Sequence, residues 1–111
     1  MKITDFYENT TKEFDVTIYY DGDLANIVND TVTLYVKETP NDTDANALIV
    51  KSADVSDGAN GIASFTLTDS DTTIPVKKGY YAELVWETVG GSRFVVHQQR
   101  INCLNKMQDN S

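Results

Sequence analysis

Apolar and polar residues alternate along most of this chain, with the period of two that a half-buried β-strand requires. The clearest run is 12–21, with Phe14, Val16, Ile18 and Tyr20 on one side and Asp15, Thr17, Tyr19 and Asp21 on the other. Residues 31–37 repeat it: Val32, Leu34 and Val36 point in, and Thr31, Thr33, Tyr35 and Lys37 point out. Ala63, Phe65 and Leu67 alternate with Ser64, Thr66 and Thr68. Tyr80, Ala82, Leu84 and Trp86 then face away from Tyr81, Glu83, Val85 and Glu87. In the return run Arg93–Leu104 the apolar phase shifts from Phe94 and Val96 to Ile101 and Cys103, which predicts a bulge near Gln98–Gln99. Two weaker runs, Lys2–Glu8 and Ala47–Lys51, read as edge strands, the second with either Ile49 or Leu48 and Val50 inward. Between them, Leu24–Asp30 fits one helical turn or a loop folded under the sheets. No stretch has helical periodicity.

Turn chemistry separates these runs. Asp21-Gly22-Asp23, Ser56–Gly61 and Val89-Gly90-Gly91-Ser92 are turn clusters. Glu38–Asn46 is polar, has no apolar anchor, and is expected to be mobile and dispensable for folding. Asp69, Ser70 and Asp71 can bond their own backbone and so end a strand, and Pro75 belongs at a corner. Gly79 is expected to permit a tight approach into the strand that follows. Tyr80, just past that corner, can return its hydroxyl to the corner backbone, or can serve as a plain core tyrosine. About seven short strands at this spacing make an all-β, two-sheet antiparallel β-sandwich. It should occupy residues 1–104 as a single domain, with a polar, frayed tail at 105–111. The expected core is Phe14, Val16, Ile18, Val32, Leu34, Val36, Phe65, Leu67, Leu84 and Trp86.

Composition narrows the function more than it defines one. The chain has 111 residues and a net charge of −8. That charge disfavours nucleic acid and anionic membranes as partners, since both are held by clustered cations. Cys103 is the single cysteine, so no intrachain disulfide forms. The N-terminus lacks the apolar run of a signal peptide, so the chain reads as a complete short reading frame folded in the cytosol. His97 is the single histidine and has no nucleophile arranged near it in sequence. With no Cys/His cluster and no glycine-rich phosphate loop, no cofactor or metal is expected and the protein reads as a non-enzyme. The acidic pairs Asp21/Asp23, Asp42/Asp44 and Asp69/Asp71 could each supply two oxygens to calcium, but none sits within a full ligand loop, and turn chemistry is the plainer reading. Three Asn-X-Thr triplets, beginning at Asn9, Asn29 and Asn41, are coincidental without a secretory signal.

What remains is contact surface. Tyr19, Tyr35 and Tyr81 fall at outward positions and could form one aromatic face, for a protein partner or for stacking on sugars; the plainer reading is cross-strand pairing. The two edge runs carry neither inward charge nor proline, so Ile49 marks a candidate point for strand addition.

Several segments recur in a familiar order: F-D-V-T-I-Y-Y-D-G at 14–22, D-T-V-T-L-Y-V-K at 30–37, G-I-A-S-F-T-L-T-D-S-D-T at 61–72, P-V-K-K-G-Y-Y-A-E-L at 75–84 and G-G-S-R-F-V-V at 90–96. In this order the chain resembles the small immunoglobulin-like domains of tailed-bacteriophage virion proteins, including the N-terminal domain of upper baseplate proteins. The resemblance covers about residues 5–103. Where that family's last strand usually has a glycine, this chain has Gln98 or Gln99. The resemblance implies an immunoglobulin-like sandwich and a structural role in a virion (tail, baseplate, neck or capsid surface). It also implies other virion proteins as partners and multiple copies per particle, assembled in the host cytoplasm. The alternative is a carbohydrate-binding or host-attachment sandwich.

Overall fold

The computed structural model describes residues 3–105. Its strands are β1 (Phe6–Tyr7), β2 (Lys12–Thr17), β3 (Tyr19–Tyr20), β4 (Asp23–Leu24), β5 (Thr31–Lys37), β6 (Ile49–Ser52), β7 (Ile62–Leu67), β8 (Lys77–Glu87) and β9 (Arg93–Leu104). Short 3-10 turns lie at Asp44–Asn46 and Gly58–Asn60, and no α-helix forms among the described residues. A five-stranded sheet has the order β1-β9-β8-β5-β6, while β2 pairs with β7 and β3 with β4. The fold is all-β with several sheets, consistent with a β-sandwich. One pairing departs from the expected antiparallel scheme: β1 runs parallel to β9. A parallel pair needs a long crossover, and here nearly the whole chain supplies it. Lys2 of the first edge run and residues 106–111 of the expected tail lie outside the described residues.

The core forms where the inner face of the large sheet meets the β2–β7 ribbon. Val32, Leu34 and Val36 on β5 stand opposite Trp86, Leu84 and Ala82 on β8. Val16, Ala63, Phe65 and Leu67 close over them in one buried cluster. Burying a side chain of this size stabilises by about 1.5–3 kcal/mol each, so this layer dominates the fold. All the expected core residues are buried except Phe14, which is half-buried and stacks on Phe65 at 5.1 Å. Phe14 is left partly wet because β2 has a ladder partner on one side only. Leu24 ends β4, and residues 25–30 are a loop, not a helical turn, with Ala25 and Ile27 tucked under the layers.

The run expected to be one strand over 12–21 is two. At Ile18 the chain changes partner: its N–H donates to the Gly61 carbonyl (2.8 Å), and its own carbonyl accepts the Ala25 N–H (2.9 Å). Beyond that point Tyr20 belongs to the β3–β4 hairpin and is largely exposed, and so does not continue the apolar side of the run as its alternation suggested. Asp21 and Gly22 at the hairpin tip have φ of 53° and 85°, the positive pair a two-residue turn demands.

The corner before β8 is built as its residue types suggest. Asp71 Oδ2 accepts the Thr68 N–H at 2.8 Å, and the buried Thr72 hydroxyl donates to the Thr10 carbonyl at 2.6 Å. Tyr80 is fully buried, and its hydroxyl donates to the Pro75 carbonyl at 2.5 Å. Gly79 serves differently from expectation. No atom lies within 4 Å of where its Cβ would stand, so close approach is not the constraint. Its φ of +84° is, at an irregularity between Lys77 and Tyr80. A second irregularity falls earlier in β9 than expected. Leu84 faces His97 and Val85 faces Val95, so Val96 is the inserted residue, not Gln98 or Gln99. Val96 still packs against the core, which conceals the slip in the apolar pattern.

Candidate interaction surface

The outer face of the large sheet was expected to be wet, and its centre is not. On β5, Thr33, Tyr35 and Lys37 stand opposite Val85, Glu83 and Tyr81 of β8. Thr33, Val85 and Lys37 are all buried, Lys37 with 4% of its surface exposed. A lysine is almost never this buried unless paired, and this one is paired twice. Its Nζ lies 2.8 Å from Asp44 Oδ1 and 3.2 Å from Glu83 Oε1. Asp44 Oδ2 also accepts from Arg93 Nη2 at 2.8 Å. Asp44 sits in the 3-10 turn of the 38–48 connection, so one carboxylate bridges β5 and β9 and holds that loop to the sheet. The loop has no apolar anchor, but this ionic one ties it to the sheet, which the expectation of a mobile segment did not foresee.

The electrostatics follow from this geometry. Burial pulls the Lys37 ammonium down, but the hydrogen bonds from Asp44 and Glu83 outweigh it and hold it above its ordinary value. The Lys37 hydrogen bond, helped by Arg93, keeps the Asp44 carboxyl below the usual carboxylate range against the effect of burial. Burial, with Asp44 and Glu87 nearby, pushes the Tyr35 hydroxyl up.

The three tyrosines do not form one face. Tyr35 and Tyr81 share the outer face of the large sheet. Tyr19 is 61% exposed in the separate β3–β4 hairpin, beside Leu24. The two rings on the sheet are already covered: Lys37 Nζ lies 5.5 Å from the Tyr35 centroid, and the Arg100 guanidinium 5.8 Å from that of Tyr81.

Both expected edges of the large sheet are its edges, but Ile49 is poorly suited to mark one. It is buried and faces the core. The Ala53 N–H donates to the Val32 carbonyl at 2.8 Å. Counting back by the two-residue period of an antiparallel ladder, Ile49 and Lys51 direct their N–H groups at β5, and Val50 and Ser52 direct theirs outward. Lys51 also points inward and pairs with Asp71 at 2.9 Å. That is the inward charge which blunts an edge, and the sequence pattern had suggested none.

At the other edge, side chains extend the short β1–β9 ladder. The Gln99 amide accepts the Ile3 N–H at 2.8 Å and donates to the Ile3 carbonyl at 2.7 Å. Asp5 accepts from the Asn102 backbone N–H (2.9 Å) and side-chain amide (3.0 Å). His97 Nε2 is 2.7 Å from Gln99 Oε1 and so braces the same amide. Cys103, which pairs with Phe6 of β1, is buried in the core, and burial pushes its thiol up.

The acidic pairs are separated in use. Asp42 accepts the Thr39 N–H, Asp44 binds Lys37 and Arg93, and Asp71 binds Lys51 and Thr68. No group of three or more metal-ligating side chains gathers among the described residues. The Lys37–Asp44–Glu83–Arg93 cluster was missed in sequence. Its one local trace is a lysine at the end of an otherwise uncharged strand. Compared with known proteins, the chain matches no family model and no curated sequence.

Proposed function

We propose that this chain is a non-enzymatic structural protein of a bacteriophage particle, an immunoglobulin-like β-sandwich present in multiple copies and acting through contacts with other virion proteins. One observation carries the reading. Tyr80 is buried at the start of a strand and turns its hydroxyl back onto the corner at Pro75. Such a corner is characteristic of immunoglobulin-like sandwiches, and it lies within the P-V-K-K-G-Y-Y motif on which the resemblance to phage virion domains rests.

The side chains that could carry chemistry are in structural use, which supports a non-enzymatic role. His97 braces Gln99, and the Cys103 thiol is buried with a raised pKa. Sugar stacking on the sheet face has less support, because the Tyr35 and Tyr81 rings already carry cations. The net charge of −8 favours protein partners over nucleic acid or membrane. A mass-spectrometric inventory of purified particles tests the proposal. The protein should co-purify at a fixed copy number, high for the capsid surface and low for tail or neck. Its absence from intact particles overturns the reading.

A further inference from the structure

Besides β6, whose edge carries the inward Lys51, the large sheet has a stretch of strand edge with no partner among the described residues. Along β9, the N-terminal segment reaches Gln99, Asn102, Cys103 and Leu104. No described residue pairs with the outer side of residues 93–98. The Thr88 N–H donates to the Ser92 carbonyl at 2.8 Å, which sets the phase of the β8–β9 ladder. By the two-residue alternation, Phe94 faces β8, while Arg93 and Val95 direct their N–H and C=O groups outward. Neither proline nor inward charge protects this stretch. Only the slip at Val96 limits its length.

An apolar site with acidic neighbours adjoins it. Phe94 is half-buried on the inner face, and its ring lies 5.1 Å from Trp86 and 5.8 Å from Tyr20. Tyr20 remains largely exposed, so the cluster is accessible from the sheet edge. Asp23 stands opposite Tyr20 on the same hairpin face, and Asp21 is beside it at the tip. Neither has an ion-pair partner among the described residues. Arg93, on the open stretch of β9 itself, is paired with Asp44.

We infer that the Arg93–Val95 edge of β9 is a docking site for an extended segment of a partner protein. The segment adds as a strand, sets an apolar side chain against Phe94 and Tyr20, and brings basic residues to Asp21 and Asp23. This names the partner chemistry for the proposed protein-contact role and rests on that role. The ladder bonds give affinity, and the aromatic site with its two carboxylates gives selectivity.

The test uses the full chain, isotope-labelled, titrated with a short synthetic peptide of alternating lysine and valine and with an aspartate–valine counterpart. The lysine peptide should shift the amides of Arg93, Val95 and Tyr20 and weaken with salt, and the aspartate peptide should not bind. Val95→Pro removes an outward N–H and spares the β8 ladder, so the fold should survive while affinity falls about tenfold or more. Asp21→Asn with Asp23→Asn should reduce affinity and flatten its salt dependence. Failure of the lysine peptide to bind, equal binding of both peptides, shifts centred on β6, or full affinity in a folded Val95→Pro variant each overturns the inference. So does self-association of the free chain that Val95→Pro abolishes, since the occupant is then a second copy. None of these results bears on whether the protein co-purifies with particles, so the wider role stands or falls separately.

Discussion

The two faces of the five-stranded sheet are buried by opposite means. The inner face is closed by a second layer of strands, with Val16, Phe65 and Leu67 set against Leu34, Leu84 and Trp86. On the outer face only the centre is buried, at Thr33, Lys37 and Val85, and there one loop is held by the Asp44 carboxylate on Lys37 and Arg93. Apolar burial does not depend on pH. An ion cluster with 40% of its aspartate side chain exposed depends on both pH and salt. The same sheet therefore carries a permanent face and a conditional one.

The comparison breaks most sharply at Trp86. It is 7% exposed, and its Nε1 donates to Asp30 Oδ2 at 2.9 Å. Trp86→Ala should lower unfolding free energy by about 3–5 kcal/mol in urea melts, because a large core site empties. A loss below about 1 kcal/mol, typical of surface positions, would contradict the inward packing. Next comes Lys37→Ala, which leaves Glu83 and Asp44 without their shared cation; a loss of about 1–3 kcal/mol is expected by the same assay. Replacing 38–46 with a Gly/Ser linker should uncover Thr33 and Val85 without abolishing folding, read as faster amide exchange at those two residues. Tyr80→Phe removes one hydroxyl from a filled site and should cost about 0.5–1.5 kcal/mol.

The smallest effect separates the faces by pH. The folded state depresses the Asp44 pKa, so this carboxylate adds stability above its unfolded value of about 4 and loses it as pH falls through the lower folded value. Asp71 behaves alike: burial opposes the shift, and the Lys51 and Thr68 hydrogen bonds outweigh it. Lys37 is raised, so its contribution is present below about pH 10.4 and fades as pH climbs through the folded value. Titration from pH 7 to 3 should move the amide signals of 38–48 before Trp86 fluorescence changes. Coincident transitions would show that the outer face has no independent equilibrium.

Most of the strands were legible because each is specified within a few residues. Val32, Leu34 and Val36 turn inward as their alternation says, and so do Tyr80, Ala82, Leu84 and Trp86. The corner at Pro75 was legible for the same local reason. Alternation failed where a strand changed partner. Nothing in F-D-V-T-I-Y-Y shows that Ile18 bonds Gly61 on one side and Ala25 on the other, so Tyr20 was read as continuing the apolar side of one strand and Tyr19 as sharing a face with Tyr35 and Tyr81. Edge protection was misread at Lys51 because its partner Asp71 lies on a distant corner.

By itself the sequence determined the class of element, the inward side of most strands, the turns and the corner at Pro75, since these depend on neighbours two to five positions apart; that the Tyr80 hydroxyl closes that corner was one of two readings until the structure showed it. Tertiary structure decided which charges meet, which stretch of β9 stays open and which tyrosines share a surface. Lys37 reaches Glu83 across 46 positions, and Arg93 reaches Asp44 across 49. Such pairs exist only once strand order is set, and strand order minimises the free energy of the whole assembled core, which no local run of residues encodes.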